Sequence, residues 1–173
     1  EAFQVKTRFG IQRAIDDYLA NLHRGIQEGS VPRARDGKIT VFILGRYKDT
    51  GKSAVPLGWQ ARYGKEIALS FATMHSSKGA EADYVILPGM VDRGFPNTRE
   101  DDPVLALAMP GIDQYPFAEE RRLFYVALTR ARRSVAMFTV AGHRSSFLQE
   151  LVSEGAVTVT CWASVTNVSR QRA

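Results

Sequence analysis

A chain of 173 residues, 45% hydrophobic and 24% charged, has the make-up of a folded domain with a core of its own. Its one cysteine, Cys161, excludes an internal disulfide and suits a reducing, cytoplasmic setting. No apolar run reaches the roughly 18 residues of a membrane span, and the formal charge of +5 permits a polyanionic partner without requiring one.

Residues 1–7 hold no apolar signal core and no initiator Met, so the chain reads as a fragment of a longer one, a single domain with its core at about 39–162 and a polar tail at 164–173. Ile11, Ile15, Tyr18, Leu22 and Ile26 recur at helical spacing, and Gly29 is placed to stop that helix. Residues 30–38 read as a loop. Ile39–Leu44 is a β-branched apolar run that predicts a strand buried on both faces. Residues 45–66 read as loop with one short helix. Ile67–Thr73 alternates and predicts a second strand, and Tyr84–Leu87 predicts a third, stopped by Pro88-Gly89. Residues 90–118 form a long irregular stretch with four prolines. Glu119–Arg132 predicts a helix and Val135–Val140 a strand. Ser146 with Gln149 is a capping-box signature for a further helix ending at Gly155, and Val157–Trp162 closes the set as a core strand holding Cys161. Strands alternating with helices predict an α/β domain with a mainly parallel sheet, whose ligands gather at the carboxyl ends of the strands.

Gly51-Lys52-Ser53 has the ending of a phosphate-binding loop, but the first glycine of that motif would fall on Arg46, and Pro56 and Gly58 follow too soon for the helix the motif needs. The stretch reads as a solvated turn. A nucleotide-binding kinase or ATPase built on Lys52 is the rival reading, tested by nucleotide binding to Lys52→Ala.

Three segments place polar residues after apolar strands or on one helix. Arg46 directly follows the first strand, where a guanidinium suits phosphate, although an ordinary solvated arginine fits the same position. Thr73-Met-His-Ser-Ser-Lys-Gly79-Ala-Glu81 offers hydroxyls, a histidine, a lysine and turn amides to a phosphate chain, or else is a polar strand-to-helix connection. Residues 119–133 carry acids in the first helical turn and five arginines in fifteen residues.

In this order the segments resemble motifs IV, V and VI of superfamily 1 DNA helicases of the UvrD/Rep type, in particular the helicase IV branch. Residues 73–81 resemble T-x-H-x-x-K-G-L-E, with Ala80 in place of the leucine, and residues 119–132 resemble E-E-R-R-L-x-Y-V-A-x-T-R-A. The likeness covers about residues 39–152. Only 26 residues lie between Arg46 and Thr73, so the subdomain that many relatives insert there is missing or minimal.

The resemblance implies the second, C-terminal RecA-like domain of an ATP-dependent single-stranded DNA helicase. The phosphate loop, the Mg2+ ligands and most of the ATP site would lie on a preceding N-terminal RecA-like domain of the same chain. It implies that Arg46 and Arg130 reach the γ-phosphate as arginine fingers and that Gly79 and Glu81 lie by the nucleotide, Glu81 at the ribose. It also implies that Thr73, His75, Ser76 and Lys78 line the DNA path, and that the whole protein is a DNA-repair motor whose isolated fragment is inactive. A helicase-like module of a nuclease or of an RNA polymerase-associated protein is the alternative.

Overall fold

The structure is a computed structural model that describes residues 1–33, 37–48, 57–97 and 117–162. The glycine-lysine-serine turn, most of the proline-rich stretch and the polar tail lie outside these residues. Six strands, β1 (Ala2–Val5), β2 (Ile39–Gly45), β3 (Ile67–Thr73), β4 (Ala82–Leu87), β5 (Ala131–Val140) and β6 (Val159–Cys161), form one sheet in the order β3-β2-β4-β5-β1-β6. Every pairing is parallel. The helices are α1 (Arg8–Gln27), α2 (Leu57–Tyr63), α3 (Ala118–Leu128) and α4 (Ser146–Ser153). The expected α/β fold with a parallel sheet is the fold of the chain.

Alternation along each strand builds two cores, since successive side chains leave a strand on opposite faces. Val41, Ile43, Ile86 and Phe138 face α1 and α2, where Ile15, Leu19, Trp59 and Tyr63 meet them. Leu44, Val85, Leu87 and Met137 face α3 and α4, where Leu123, Phe124, Ala127, Phe147 and Leu148 close the second layer. The central strands are apolar in both directions, as a sheet covered on both faces demands.

Differences from the expected elements have local causes. β1 is a short strand that the periodicity did not reveal; with α1 it extends the core ahead of residue 39. α1 ends where expected, and Gly29 takes the left-handed φ of +77° beyond it. α3 stops at Leu128 rather than at residue 132. Ala131 pairs with Ala82 at the head of β4 instead, so sheet pairing overrides the helical spacing of Leu123, Ala127 and Ala131. β6 is a three-residue edge strand, and Cys161 is exposed on it rather than in the core. Among the described residues no helix is long and apolar enough to cross a membrane.

The cap of α4 falls one residue earlier than the capping box implies. Ser145 is extended and buried, and its Oγ accepts the amide of Leu148 at 3.2 Å. Ser145→Ala is therefore expected to cost about 1 kcal/mol of stability, whereas Ser146→Ala should stay within about 0.5 kcal/mol. Denaturant unfolding of the two variants checks this.

Candidate nucleotide-facing cleft and motif V turn

All six strands end on one edge. Next to each other, β2 leads to α2 on one face and β4 leads to α3 on the other. The backbone parts where neighbouring strands send their connections to opposite faces, which leaves a crevice at their carboxyl ends. A cleft of about 650 Å³ lies there, between the first turn of α1, the ends of β2 and β4, and residues 88–95. Its floor is apolar, with Leu44, Met74, Leu87, Met90 and Phe95. Its lining carries Arg8, Arg46 and Arg93 and, among the described residues, no acidic one. Two aromatic rings stand at the same place: Phe9 is 95% exposed and Tyr47 is 49% exposed, so neither is spent on the core.

Arg46 is fixed. Its Nη2 donates to Glu120 Oε1 at 2.6 Å, and its Nε lies 3.0 Å and 3.2 Å from the two carboxylate oxygens. Glu120 sits in the first turn of α3 and is buried. This charged hydrogen bond, working against burial, holds the Arg46 guanidinium protonated more firmly than usual. The amide of Asn97 also donates to Glu120 Oε2, at 3.1 Å. Arg8 opens α1 at the same cleft, and no hydrogen bond or ion pair engages its side chain among the described residues.

Arg130, which the resemblance puts at the same phosphate as Arg46, is not among the residues that line this cleft. It lies between the last turn of α3 and the first residue of β5, at the amino edge of the sheet. Its carbonyl accepts the amide of Ala82. Its Nε donates to the carbonyl of Val126 at 3.0 Å, Nη1 to that of Ala80 at 3.2 Å and Nη2 to Thr129 Oγ1 at 3.1 Å. The bond to Val126 takes up a carbonyl that the helix leaves unpaired at its end, and the bond to Ala80 ties that end to the motif V turn. The two guanidinium groups are thus held at opposite ends of α3, whose 11 residues span about 16 Å.

The motif V turn runs from one edge to the other. Thr73 ends β3, and the amide of Met74 donates to Gly45 beside it. Thr73 and Ser76 satisfy each other. The Thr73 amide donates to Ser76 Oγ at 3.0 Å, the Ser76 amide to Thr73 Oγ1 at 3.0 Å, and the hydroxyls are 2.9 Å apart. Ser77 is buried and bonds Met74. The turn leaves the His75 and Lys78 side chains outward in solvent. Gly79 has a φ of +83°, which explains a glycine there. Glu81 is exposed at the amino edge and accepts from Arg132 Nε at 3.0 Å. The structure therefore divides the expected nucleotide set, with Arg46 at one edge and Gly79, Glu81 and Arg130 at the other.

Of the other helix arginines, Arg121 donates to both oxygens of Glu150, at 2.6 Å and 2.8 Å, and keeps that carboxyl below its ordinary value. Arg122 reaches Glu119 at 3.5 Å. Tyr125 is 70% exposed, so it is no core aromatic. Sequence reading missed Arg8, Phe9 and Glu120. Its helix began at Ile11, and Glu120 looked like an ordinary first-turn acid. The alternation of Phe3 and Val5 ahead of α1 is the signal that marks Arg8 as a residue following a strand. No group of three or more His, Cys, Asp and Glu able to hold a metal ion exists among the described residues.

The all-parallel sheet with helices on both faces is that of an α/β RecA-like domain. Residues 60–141 match the UvrD-like helicase C-terminal domain, which bears out the resemblance to UvrD/Rep helicases. The chain is similar to DNA helicase IV of Escherichia coli, 38% identical over 97 residues, 55% of this chain and 14% of that protein. It is also similar to a probable DNA helicase of Mycoplasma pneumoniae, 36% identical over 42% of this chain and 12% of that protein. A third relative, the ATP-dependent DNA helicase PcrA of Staphylococcus aureus, is 38% identical over 47% of this chain and 10% of that protein. The chain thus spans only a small part of the length of these relatives.

The bonds of Arg130 define it as a clasp between α3 and the motif V turn. Arg130→Ala should lower stability by about 1–2 kcal/mol, read as a lower midpoint in denaturant unfolding.

Proposed function

We propose that this chain is the second RecA-like domain of an ATP-driven DNA helicase, a motor that moves along single-stranded DNA. The observation that carries the reading is the arginine-lined cleft at the carboxyl edge, together with the match over residues 60–141. The cleft suits the phosphate end of an ATP held by a preceding domain of the same protein. Arg8 supplies a guanidinium with no competing partner among the described residues. Arg46 supplies one whose direction is fixed by Glu120. Guanidinium donors aimed at a transferring phosphoryl group stabilise its charge, and an arginine finger is worth about 10³–10⁵ in rate. In this reading Mg2+, like the phosphate loop, belongs to the preceding domain.

The cleft also supplies the coupling. A cation contacting ATP across a domain interface loses its anchor on hydrolysis, and that difference biases an open-closed equilibrium. Thr73 and Ser76 shape the turn that holds His75 and Lys78 outward for the DNA backbone. Glu81 takes the ribose contact only if its bond to Arg132 gives way. This motor works in the cytoplasm, in DNA repair.

Arg46→Ala and Arg8→Ala in the full-length protein are each expected to cut DNA-stimulated ATP turnover about a hundredfold or more, with ATP binding within a few-fold. Wild-type turnover in both cleft variants overturns the reading. For the DNA track, Lys78→Ala should weaken single-strand binding and reduce the slope of log K against log salt by about one. Titrations at several salt concentrations measure that slope, and an unchanged slope removes Lys78 from the track.

A further inference from the structure

Arg46, Glu120, Asn97 and Tyr47 form a closed circuit. The Arg46 Nε and Nη2 donate to Glu120, and the backbone amide of Asn97 donates to the same carboxylate. The Asn97 side-chain amide donates to the Tyr47 hydroxyl at 2.7 Å. The Tyr47 ring in turn lies under the Arg46 guanidinium, whose central carbon is 5.0 Å from the ring centroid. Three separate pieces of chain meet in this circuit: the end of β2, the segment after β4 and the first turn of α3.

From this geometry we infer that Glu120 is a positioning residue, which orients Arg46 toward the cleft and acts on the motor's chemistry only through that arginine. The inference rests on the reading of the cleft given above. A guanidinium has five N–H donors in a planar fork. Glu120 engages the Nε and Nη2 side, which leaves the Nη1 edge for an anionic oxygen. The side chains of Arg46 and Glu120 are only 20% and 10% exposed, so water screens their bond weakly. Tyr47 fixes the plane of the guanidinium from below, and Asn97 keeps both Glu120 and Tyr47 in place.

The circuit has an electrostatic consequence. Arg46 with Glu120 is close to neutral as a pair, so it adds little net attraction for ATP. What it supplies is donors already in place when charge develops on the phosphoryl group, which no longer have to reorganise. Arg8, with no acid bonded to it among the described residues, supplies net charge. Loss of Glu120 should therefore leave ground-state binding nearly intact and slow turnover.

The test is steady-state DNA-stimulated ATPase of the full-length protein, with thermal melting of each variant. Glu120→Gln keeps the shape and one acceptor. It should lower kcat at least tenfold with KM within threefold. Combined with Arg46→Ala it should be no slower than Arg46→Ala alone, within twofold, because Glu120 has no other route to the phosphate. Tyr47→Phe deletes the Asn97 link without touching the carboxylate and should lower kcat two- to fivefold. A merely structural Glu120 would lower the melting temperature but leave kcat per folded molecule unchanged, or would add its full defect to that of Arg46→Ala. Either result overturns the inference. If Glu120→Gln fails to fold, the kcat of Tyr47→Phe decides it: a wild-type value overturns the circuit. Wild-type turnover in Arg46→Ala would instead remove Arg46 from the cleft reading itself, so the two failures are distinguishable.

Discussion

A sheet in which every strand runs the same way puts all its carboxyl ends on one edge, and most of the architecture here follows from that constraint. Parallel neighbours need a crossover, and the crossovers cover both faces. β2 and β4 are therefore mostly apolar, with Thr40 and Asp83 bonded to each other near their amino ends, and the polar work is pushed to the two edges. The crossovers leave on opposite faces at β2 and β4, so the backbone opens there and the cleft is a product of topology. Arg8, Arg46 and Arg93 line it because each follows the end of a strand or lies in the segment after one.

Much of this was legible in the sequence. The stripe from Ile11 to Ile26, the apolar run of β2 and the alternation of β3 reflect burial patterns that chain periodicity records directly. The rest was not, for identifiable reasons. β1 is four residues long and gives periodicity too little to act on. The end of α3 was hidden because Ala131 fits a helical stripe and a sheet equally well, and only its partner Ala82 decides. The α4 cap was misplaced because Ser145 and Ser146 are neighbours with the same chemistry, and backbone direction selects between them.

The candidate site was legible in kind but not in place. Arg46 could be placed on the correct edge, since it directly follows a strand. Arg130 could not. Motif likeness carries the identity of a residue, whereas its position depends on a connection between α3 and β5 of only two residues, Thr129 and Arg130. That short link forces Arg130 to the start of a strand. Glu120 was invisible for a different reason: an acid in a first helical turn fits the helix dipole whatever else it does. Its partner is 74 positions away in the chain.

The same short link gives α3 little slack. At its tail, Arg130 ties the helix to Ala80 and Thr129, and β5 begins at once. At its head, Glu120 grips Arg46. A rod clamped at both ends passes a tug on to whatever holds it. One helix therefore joins, through direct hydrogen bonds, the guanidinium of Arg46 at one rim to Ala80, at the close of the bend that carries His75 and Lys78, at the other.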